Sequence, residues 1–345
     1  MISTEVLAND VLLNITGGSL GRCAVVPSDF LKGNVSQHVC ILRPIEILPQ
    51  YIHCFILSAH FSRFMRVTGS GREGLPKYNL EKMLIPIPPI KEQTRIINKV
   101  KEWMTLVITI EKETSSLQEN LERTKSLILE QAIKGKLVPQ DPADEPAEIL
   151  LQRINPNAVV STDTSHYKFD IPNNWIISQL GNFFNHNTGK ALNRSNREGT
   201  MLDYITTSNL YWDRFELENL KQMPFKDSEI DKCTVIKGDL LVCEGGDIGR
   251  AAIWNYDYSI CIQNHIHRLR PIDKLLVFPR FYYYCFLLYK QQNLIGGKGI
   301  GIQGLSSNQL HKVVFPLPPF NEQKRIAAKV DELFAVIDQI QQSLE

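Results

Sequence analysis

The chain has 345 residues, 43% of them hydrophobic and 22% charged, which is ordinary for folded globular protein and long enough for two or three domains. With 38 basic and 37 acidic residues its formal charge is +1, so bulk charge excludes a generally polycationic binder and any attraction to nucleic acid must come from local clusters. Seven cysteines, at 23, 40, 54, 233, 243, 261 and 285, include no CxxC pair; they fit neither a disulfide framework nor a zinc site and read as buried thiols of a reducing compartment.

Met1 to Asp10 has no basic start followed by an apolar run, so it does not read as a signal peptide. The longest greasy stretch, Phe281 to Tyr289, falls far short of the roughly 20 residues that span a bilayer, and a cytoplasmic protein is expected. In chain order come the turn Gly17-Gly18-Ser19-Leu20-Gly21-Arg22, the pairs Gln37-His38 and Arg43-Pro44, a stretch with Arg72 and Lys77, and the box Pro86-Ile87-Pro88-Pro89-Ile90-Lys91-Glu92-Gln93-Thr94-Arg95-Ile96. From Lys91 to Lys134 there is neither Pro nor Gly. Ile96, Val100, Trp103, Val107, Ile110, Thr114, Leu117, Leu121, Thr124 and Ile128 alternate at spacings of four and three, predicting a helix whose seam packs on another helix. At 1.5 Å per residue it would be roughly 60 Å long, entered from extended Pro-Pro backbone and stopped at Gly135. The Pro-rich, acidic run from Gly135 to Pro146 reads as a turning linker, and Glu148 to Ile154 as a short helix.

A second unit opens near Ile171-Pro172-Asn173-Asn174-Trp175, and its landmarks answer those already met. Gly245-Gly246-Asp247-Ile248-Gly249-Arg250 matches the turn at 17, Asn264-His265 and Arg270-Pro271 match the pairs at 37 and 43, and Pro316-Leu317-Pro318-Pro319-Phe320-Asn321-Glu322-Gln323-Lys324-Arg325-Ile326 matches the box at 86. Offsets of 227 to 230 persist, too long for a solenoid repeat, so each copy is a domain with a trailing helix. The second seam runs through Ile326, Val330, Leu333, Ile337, Ile340 and Leu344. By the same offset the first copy lacks roughly sixty residues at its start and the second helix about half its length. Short apolar runs such as 239–243 and 313–317, with a helix-like stretch at 278–293, predict an α/β unit with a mixed or antiparallel sheet.

Polar clusters supply the candidate contacts. Lys190, Arg194, Asn196 and Arg197 lie between Gly189 and Gly199, the composition of an exposed loop able to reach phosphates or base edges. Asn209, Tyr211, Trp212 and Arg214 flank a turn, Trp212 fitting either a core or a surface role. The glycines of the two matching turns serve backbone geometry, with Arg22 and Arg250 as candidate phosphate contacts. Gln263, Asn264, His265 and His267 are expected on one strand; no third ligand supports a metal there, and Asn264 and His265, with the first copy's His38, fit DNA contact or a structural hydrogen bond alike. Gly299 to Gly304 matches GxGxxG, but a helix-like stretch precedes it and a β-rich run follows, the reverse of a dinucleotide site. It reads as a loop carrying Lys298, Gln303, Ser306 and Asn308 to a DNA backbone, with Arg72 and Lys77 in the first copy. There is no Asp/Asn-Pro-Pro-Tyr/Phe box, Walker lysine, GxSxG elbow or defensible nuclease carboxylate cluster.

The paired Pro-x-Pro-Pro-x-x-Glu-Gln-x-x-Arg-Ile boxes, the Gly135 to Pro146 linker and the Gly-Asp-Leu-Leu motif followed by Gly-Gly-Asp-Ile-Gly-Arg resemble the specificity subunit of a type I restriction-modification system, over essentially the whole chain. The resemblance implies an α/β (α+β) fold with two target recognition domains, each reading half of a split DNA sequence, joined by long antiparallel coiled-coil helices. The corresponding division is 1–90 for the first recognition domain, 91–135 for the spacer helix, 136–165 for the linker, 166–320 for the second domain and 321–345 for the second helix. It further implies a non-catalytic chain that docks two modification subunits and a restriction motor-nuclease, with S-adenosylmethionine, ATP and Mg acting on those partners. Where the chain departs from the pattern, at its two ends, a fragment, one half of a split subunit and a silent cassette serving only as a scaffold stay open.

Overall fold

The computed structural model describes residues 4–65, 74–158, 169–192, 198–295 and 305–344, and they form two compact units, residues 1–116 and 117–345. The first holds strands β1 (Glu5–Val6), β2 (Val11–Asn14), β3 (Cys23–Val25), β4 (Gly33–Asn34) and β5 (Val39–Leu42), then α1 (Pro49–Ile56), α2 (Ala59–Phe64) and α3 (Lys77–Glu81). Its sheets run β3-β2-β5 and β1-β4, all antiparallel. Helix α4 (Ile90–Ile133) is continuous over 44 residues, as the missing prolines and glycines predict, and its residues divide between the units.

The second unit contains α5 (Ala147–Ile154), β6 (Ile176–Gln179), β7 (Phe184–Thr188), β8 (Thr200–Ile205), β9 (Leu210–Tyr211), β10 (Arg214–Phe215), β11 (Lys221–Phe225), α6 (Asp227–Cys233), β12 (Thr234–Val235), β13 (Leu240–Cys243), β14 (Ala251–Ile253), β15 (Ile260–Ile262), β16 (Ile266–Pro271), α7 (Pro279–Gln291), α8 (Ser307–Lys312), β17 (Val314–Leu317) and α9 (Phe320–Gln342). Its two four-stranded sheets run β14-β13-β16-β7 and β11-β8-β15-β12; β15 pairs with β8 in parallel, so the second is mixed. Strand β13 is apolar throughout because both faces are covered. Leu240 and Val242 enter the core built from α5, α7 and α9, while Leu241 and Cys243 enter a second core with Ile205, Ala252, Trp254 and Ile262.

The repeat read from the sequence is a repeat of hydrogen bonds. Arg43 donates from Nε and Nη2 to the two Asp10 oxygens at 2.8 Å each, and Arg270 does the same to Asp239 at 2.8 and 2.7 Å. The same carboxylates accept from Leu7 N–H and Ile236 N–H. Both are buried, and the Arg43 guanidinium holds the Asp10 carboxyl below its ordinary range against the opposing effect of burial. Each Pro-Pro box closes a second clasp. Gln93 Oε1 accepts from Leu48 N–H at the head of α1 and its Nε2 donates to Pro88 O, both at 2.9 Å; Gln323 accepts from Phe278 N–H at the head of α7 and donates to Pro318 O, at 2.9 and 3.0 Å.

Within the second unit, α9 packs antiparallel on the last third of α4. Lys125 Nζ meets Asp338 at 2.8 Å and Gln341 at 2.9 Å, Gln341 reaches back to Glu122, and Leu121, Leu129, Ile133, Ile326, Val330 and Ile337 are buried. The seam is therefore buried only from Leu121 onward, and it shifts: Thr124 is exposed, Leu129 is fully buried and Ile128 only partly. Ile96 and Leu333 are half-buried, whereas Val100, Trp103, Val107, Ile110, Leu117 and Ile340 are exposed, because spacing names the face that wants a partner without supplying one. Gly135 ends the helix at φ +65°, where a Cβ would lie 2.5 Å from Pro172. The following linker is fastened down: Gln140 and Trp175 Nε1 both donate to the buried Glu322, whose carboxyl is pushed up by burial, and Asp144 pairs with Arg325 at 2.7 Å. All seven cysteines are free; four are buried, but Cys23, Cys40 and Cys54 are only half-buried.

Two measurements follow. Gln323→Leu strands Phe278 N–H and Pro318 O in a dry core and is expected to lower unfolding free energy by about 2–4 kcal/mol in denaturant titration, with a comparable loss for Gln93→Leu. The second concerns His267, which is fully buried: its Nε2 donates to Leu305 O, so its neutral Nδ1 accepts from His186 Nε2 at 2.8 Å. Burial, then His267 and His311, push the His186 pKa down to about 3. An unfolded histidine titrates near 6.5, so between these values the unfolded chain binds a proton that the folded chain refuses, and this stability is complete above pH 6.5 and is lost as pH falls towards 3. His186→Gln should therefore lose less of its denaturant midpoint than the parent between pH 7 and 5; equal losses would remove the assignment.

Candidate nucleic-acid interface

Three loops of the second unit converge on one surface. Residues 206–209 lead into the β9-β10 hairpin, 244–250 join β13 to β14, and 263–265 join β15 to β16. Backbone bonds lace them: Gln263 N–H donates to Ile205 O at 3.0 Å and Glu244 N–H to His265 O at 2.9 Å. Arg250 Nη2 donates to Thr207 O at 2.6 Å, while its guanidinium lies 5.1 Å from the centre of the Tyr211 ring. Arg214 stacks on that same ring at 4.7 Å. The 244–250 loop is held in shape by Lys290, which donates to Ile248 O at 3.0 Å and pairs with Asp247 at 2.7 Å.

The glycines of this loop do what their composition predicts. Gly246 and Gly249 have φ of +74° and +85°, and a Cβ on Gly249 would meet Ile295 at 2.8 Å. In the first unit Gly21, the counterpart of Gly249, is likewise left-handed at +83°, and Gly17 has φ +73° one position before the counterpart of Gly246. Around that turn, Arg22 is exposed and His38 is exposed with Nδ1 2.7 Å from Thr16 Oγ1, while Thr16 bridges to Gly74, close in sequence to the exposed Lys77, which pairs with Glu81.

Of the residues singled out from the sequence, Asn209, Arg214, Arg250, Asn264 and His265 come together. Asn209 is chiefly architectural: its Oδ1 accepts from Thr206 N–H and its Nδ2 donates to Glu216 O, closing the neck of the hairpin. Asn264 and His265 sit in a turn and not on a strand, and His265 is exposed beside Glu244 at 3.9 Å. Trp212 takes the core alternative, half-buried against Tyr283. Lys190 corrects the expectation of an open loop. Its Nζ donates to Glu229 at 2.6 Å and Pro224 O at 2.7 Å over the Phe225 ring, and its side chain is 9% exposed. Gly189 cannot be open either, since a Cβ there would lie 2.0 Å from Ile262 O. Asn308 and Ser306 are exposed at the start of α8, which comes between the glycine-rich stretch and β17. Arg194, Asn196, Arg197, Lys298, Gln303 and Arg72 lie outside the described residues.

Two features escaped the sequence reading. Arg280 ties the hairpin to the helices, pairing with Asp213 of the hairpin turn and with Asp331 of α9 at 2.7 Å. Trp254, Tyr256 and Tyr258 form an aromatic ladder on Phe215, with Tyr256 and Tyr258 exposed; alternate spacing at 254, 256 and 258 was the available signal.

A family model described as the type I restriction modification DNA specificity domain matches residues 2–119 and 172–345. The chain belongs to that family. Among curated relatives, the EcoAI specificity subunit of Escherichia coli is 24% identical over 340 residues, covering 80% of this chain and 57% of that one. The EcoBI specificity subunit is also 24% identical, covering 78% and 55%, so the chain spans little more than half the length of these relatives. Solved structures agree on the fold: the HsdS subunit of Thermoanaerobacter tengcongensis at TM-score 0.61 and 20% identity over 99% of this chain, and a chain from a study of type I R-M complex assembly and conformational transition at 0.68 and 19% over 99%. They cover 76% and 77% of those chains respectively. Among the described residues no helix is long and apolar enough to cross a membrane, and no group of three His, Cys, Asp or Glu is arranged to hold a metal ion.

Lys190→Met is expected to destabilise the second unit, through loss of a nearly buried charge pair, while leaving the salt dependence of DNA binding unchanged. A reduced salt slope with unchanged thermal midpoint would return Lys190 to the interface.

Proposed function

We propose that this chain is a DNA sequence-specificity subunit that reads a split target with its two units and docks modification subunits, two in number, and a restriction motor-nuclease. It carries no catalysis of its own: methyl transfer with S-adenosylmethionine, and ATP- and Mg-dependent cleavage, belong to those partners, in the cytoplasm where the DNA lies. The supporting observation is the doubled frame. The Asp–Arg clasp, the glutamine clasp and the left-handed Gly21 and Gly249 recur at offsets of 227 to 230, and each frame leads into a long helix. In this reading the frames are constant, while the loops at 206–216, 244–250 and 263–265 carry recognition, with Arg214 and Arg250 held over the Tyr211 ring for phosphate or base edges.

The exposed apolar run Trp103, Val107 and Ile110 on α4 is the face offered to modification subunits. It also favours a second reading, in which the chain acts only as a protein-interaction scaffold. Fluorescence anisotropy in the presence of modification subunits separates the two. One bipartite duplex binding at least about a hundredfold tighter than random duplexes supports the specificity subunit, and sequence-independent affinity supports the scaffold. Arg214→Ala should reduce the salt slope by about one unit with little change in stability. Val107→Asp with Ile110→Asp should prevent co-purification of modification subunits while leaving the thermal midpoint unchanged.

A further inference from the structure

The hairpin that carries Tyr211 and Arg214 has little sheet of its own. Among the described residues β9 and β10 are two residues each and pair with one another alone, Leu210 opposite Phe215 and Tyr211 opposite Arg214. A ribbon this short is not stable by itself and takes its orientation from what it touches. Its inner pair is seated in the core: Leu210 is fully buried and Phe215 meets Trp254 edge to face. The outer pair belongs to the candidate interface, and beside it comes the turn, Trp212-Asp213. Both turn residues dock on the first two turns of α7. Trp212 packs on Tyr283, and Asp213, left-handed at φ +57°, pairs with Arg280.

Arg280 connects three elements. Its Nη1 donates to Asp213, and its Nε and Nη2 donate to Oδ1 of Asp331 on α9 at 3.1 and 2.7 Å, an oxygen that also accepts from the Tyr284 hydroxyl. The guanidinium lies 4.8 and 4.9 Å from the ring centres of Tyr283 and Tyr284. Because a guanidinium is a rigid planar fork, two carboxylates bound to it are fixed in direction as well as in distance. This latch is no part of the repeated frame. At the offset of the Pro-Pro boxes, Gln50 and Lys101 stand in the first unit where Arg280 and Asp331 stand in the second. Glutamine and lysine cannot form such a pair, so the latch serves the hairpin and not the frame.

We propose that Arg280 is a positioning residue of the interface: held between Asp213 of the turn and Asp331 of α9, it fixes the direction in which the hairpin presents Arg214 and, through Tyr211, Arg250. The assignment rests on reading these loops as the DNA-recognising surface, and it gives Arg280 a part in selectivity and none in attraction. Its guanidinium is matched by two carboxylates, so it adds no net pull on phosphate. Without Arg280 the other two arginines keep their charge for phosphate and lose a fixed direction towards base edges.

The probe is a duplex enriched from a random-sequence pool by the full chain with modification subunits, and anisotropy gives its preference over random duplexes. Hydrogen exchange of the free chain is read at the amides of residue 213 and Glu216, which donate to Ala251 O and Asn209 O. Asp331→Asn is the decisive variant, because Asp331 bonds to Arg280 and Tyr284 on the far side from the hairpin. Asp331→Asn, Asp213→Asn and Arg280→Gln are all expected to speed exchange at both amides severalfold and to lower the preference about tenfold, the two Asn variants keeping their thermal midpoint. Asparagine accepts the left-handed conformation, so the turn survives Asp213→Asn. The Asn variants gain a unit of charge and Arg280→Gln loses one, so a loss shared by all three reports direction and not net charge. Parental preference in Asp331→Asn, or parental exchange in all three, overturns the proposal, as does a lower thermal midpoint without either change. A parent chain that enriches no duplex removes the DNA reading instead. Exchange alone then decides whether Arg280 fixes the hairpin, faster exchange upholding it and unchanged exchange overturning it.

Discussion

One buried glutamine in each unit decides how a helix is joined to a sheet domain. A Pro-Pro step cannot supply N–H donors, and the first turn of the helix behind it leaves orphan groups of its own. Gln93 and Gln323 tie such a junction to the domain with one side chain, the oxygen taking an N–H from Leu48 or Phe278 just before α1 or α7 and the nitrogen giving to the carbonyl of Pro88 or Pro318. The helix leaves its domain in a defined direction only because that amide is dry and fully bonded. The sheet domain and the long helix behind it would otherwise be connected by a hinge.

Around that clasp the duplication is uneven in an informative way. Asp10–Arg43 and Asp239–Arg270 are interchangeable, as are the left-handed Gly21 and Gly249. What differs is what lies over the sheet. Strand β13 is apolar on both faces because both are covered, whereas Leu12 in β2 is apolar towards a face left open. Clasps repeated in both units hold each frame to the same geometry while the segments over the sheet differ.

The candidate interface was legible in part. Arg214, Arg250, Asn264 and His265 were named from polar composition near turns, and the loops bring them to one surface. Lys190 was misplaced because a lysine between glycines has the composition of an exposed loop. Gly189 is there instead so that backbone can pass within van der Waals reach of Ile262, and Glu229, 39 residues away, neutralises the charge. Arg280 went unnoticed since its partners, Asp213 and Asp331, are separated from it by 67 and 51 residues. No local pattern records pairing at such range.

Sequence by itself determined what is periodic or repeated. The 44-residue helix, the doubled boxes, the glycines at positive φ and the absence of a metal-ligand pattern follow from local stereochemistry and spacing, which need no knowledge of the fold. Tertiary structure alone decided which apolar faces are covered. The heptad from Ile96 to Leu117 and the alternation through Leu12 read like those of Leu121 and Leu241. Only the presence of α9 over one and β8 over the other makes the second pair core and leaves the first pair surface, because burial belongs to a pair of surfaces and a sequence pattern describes one of them.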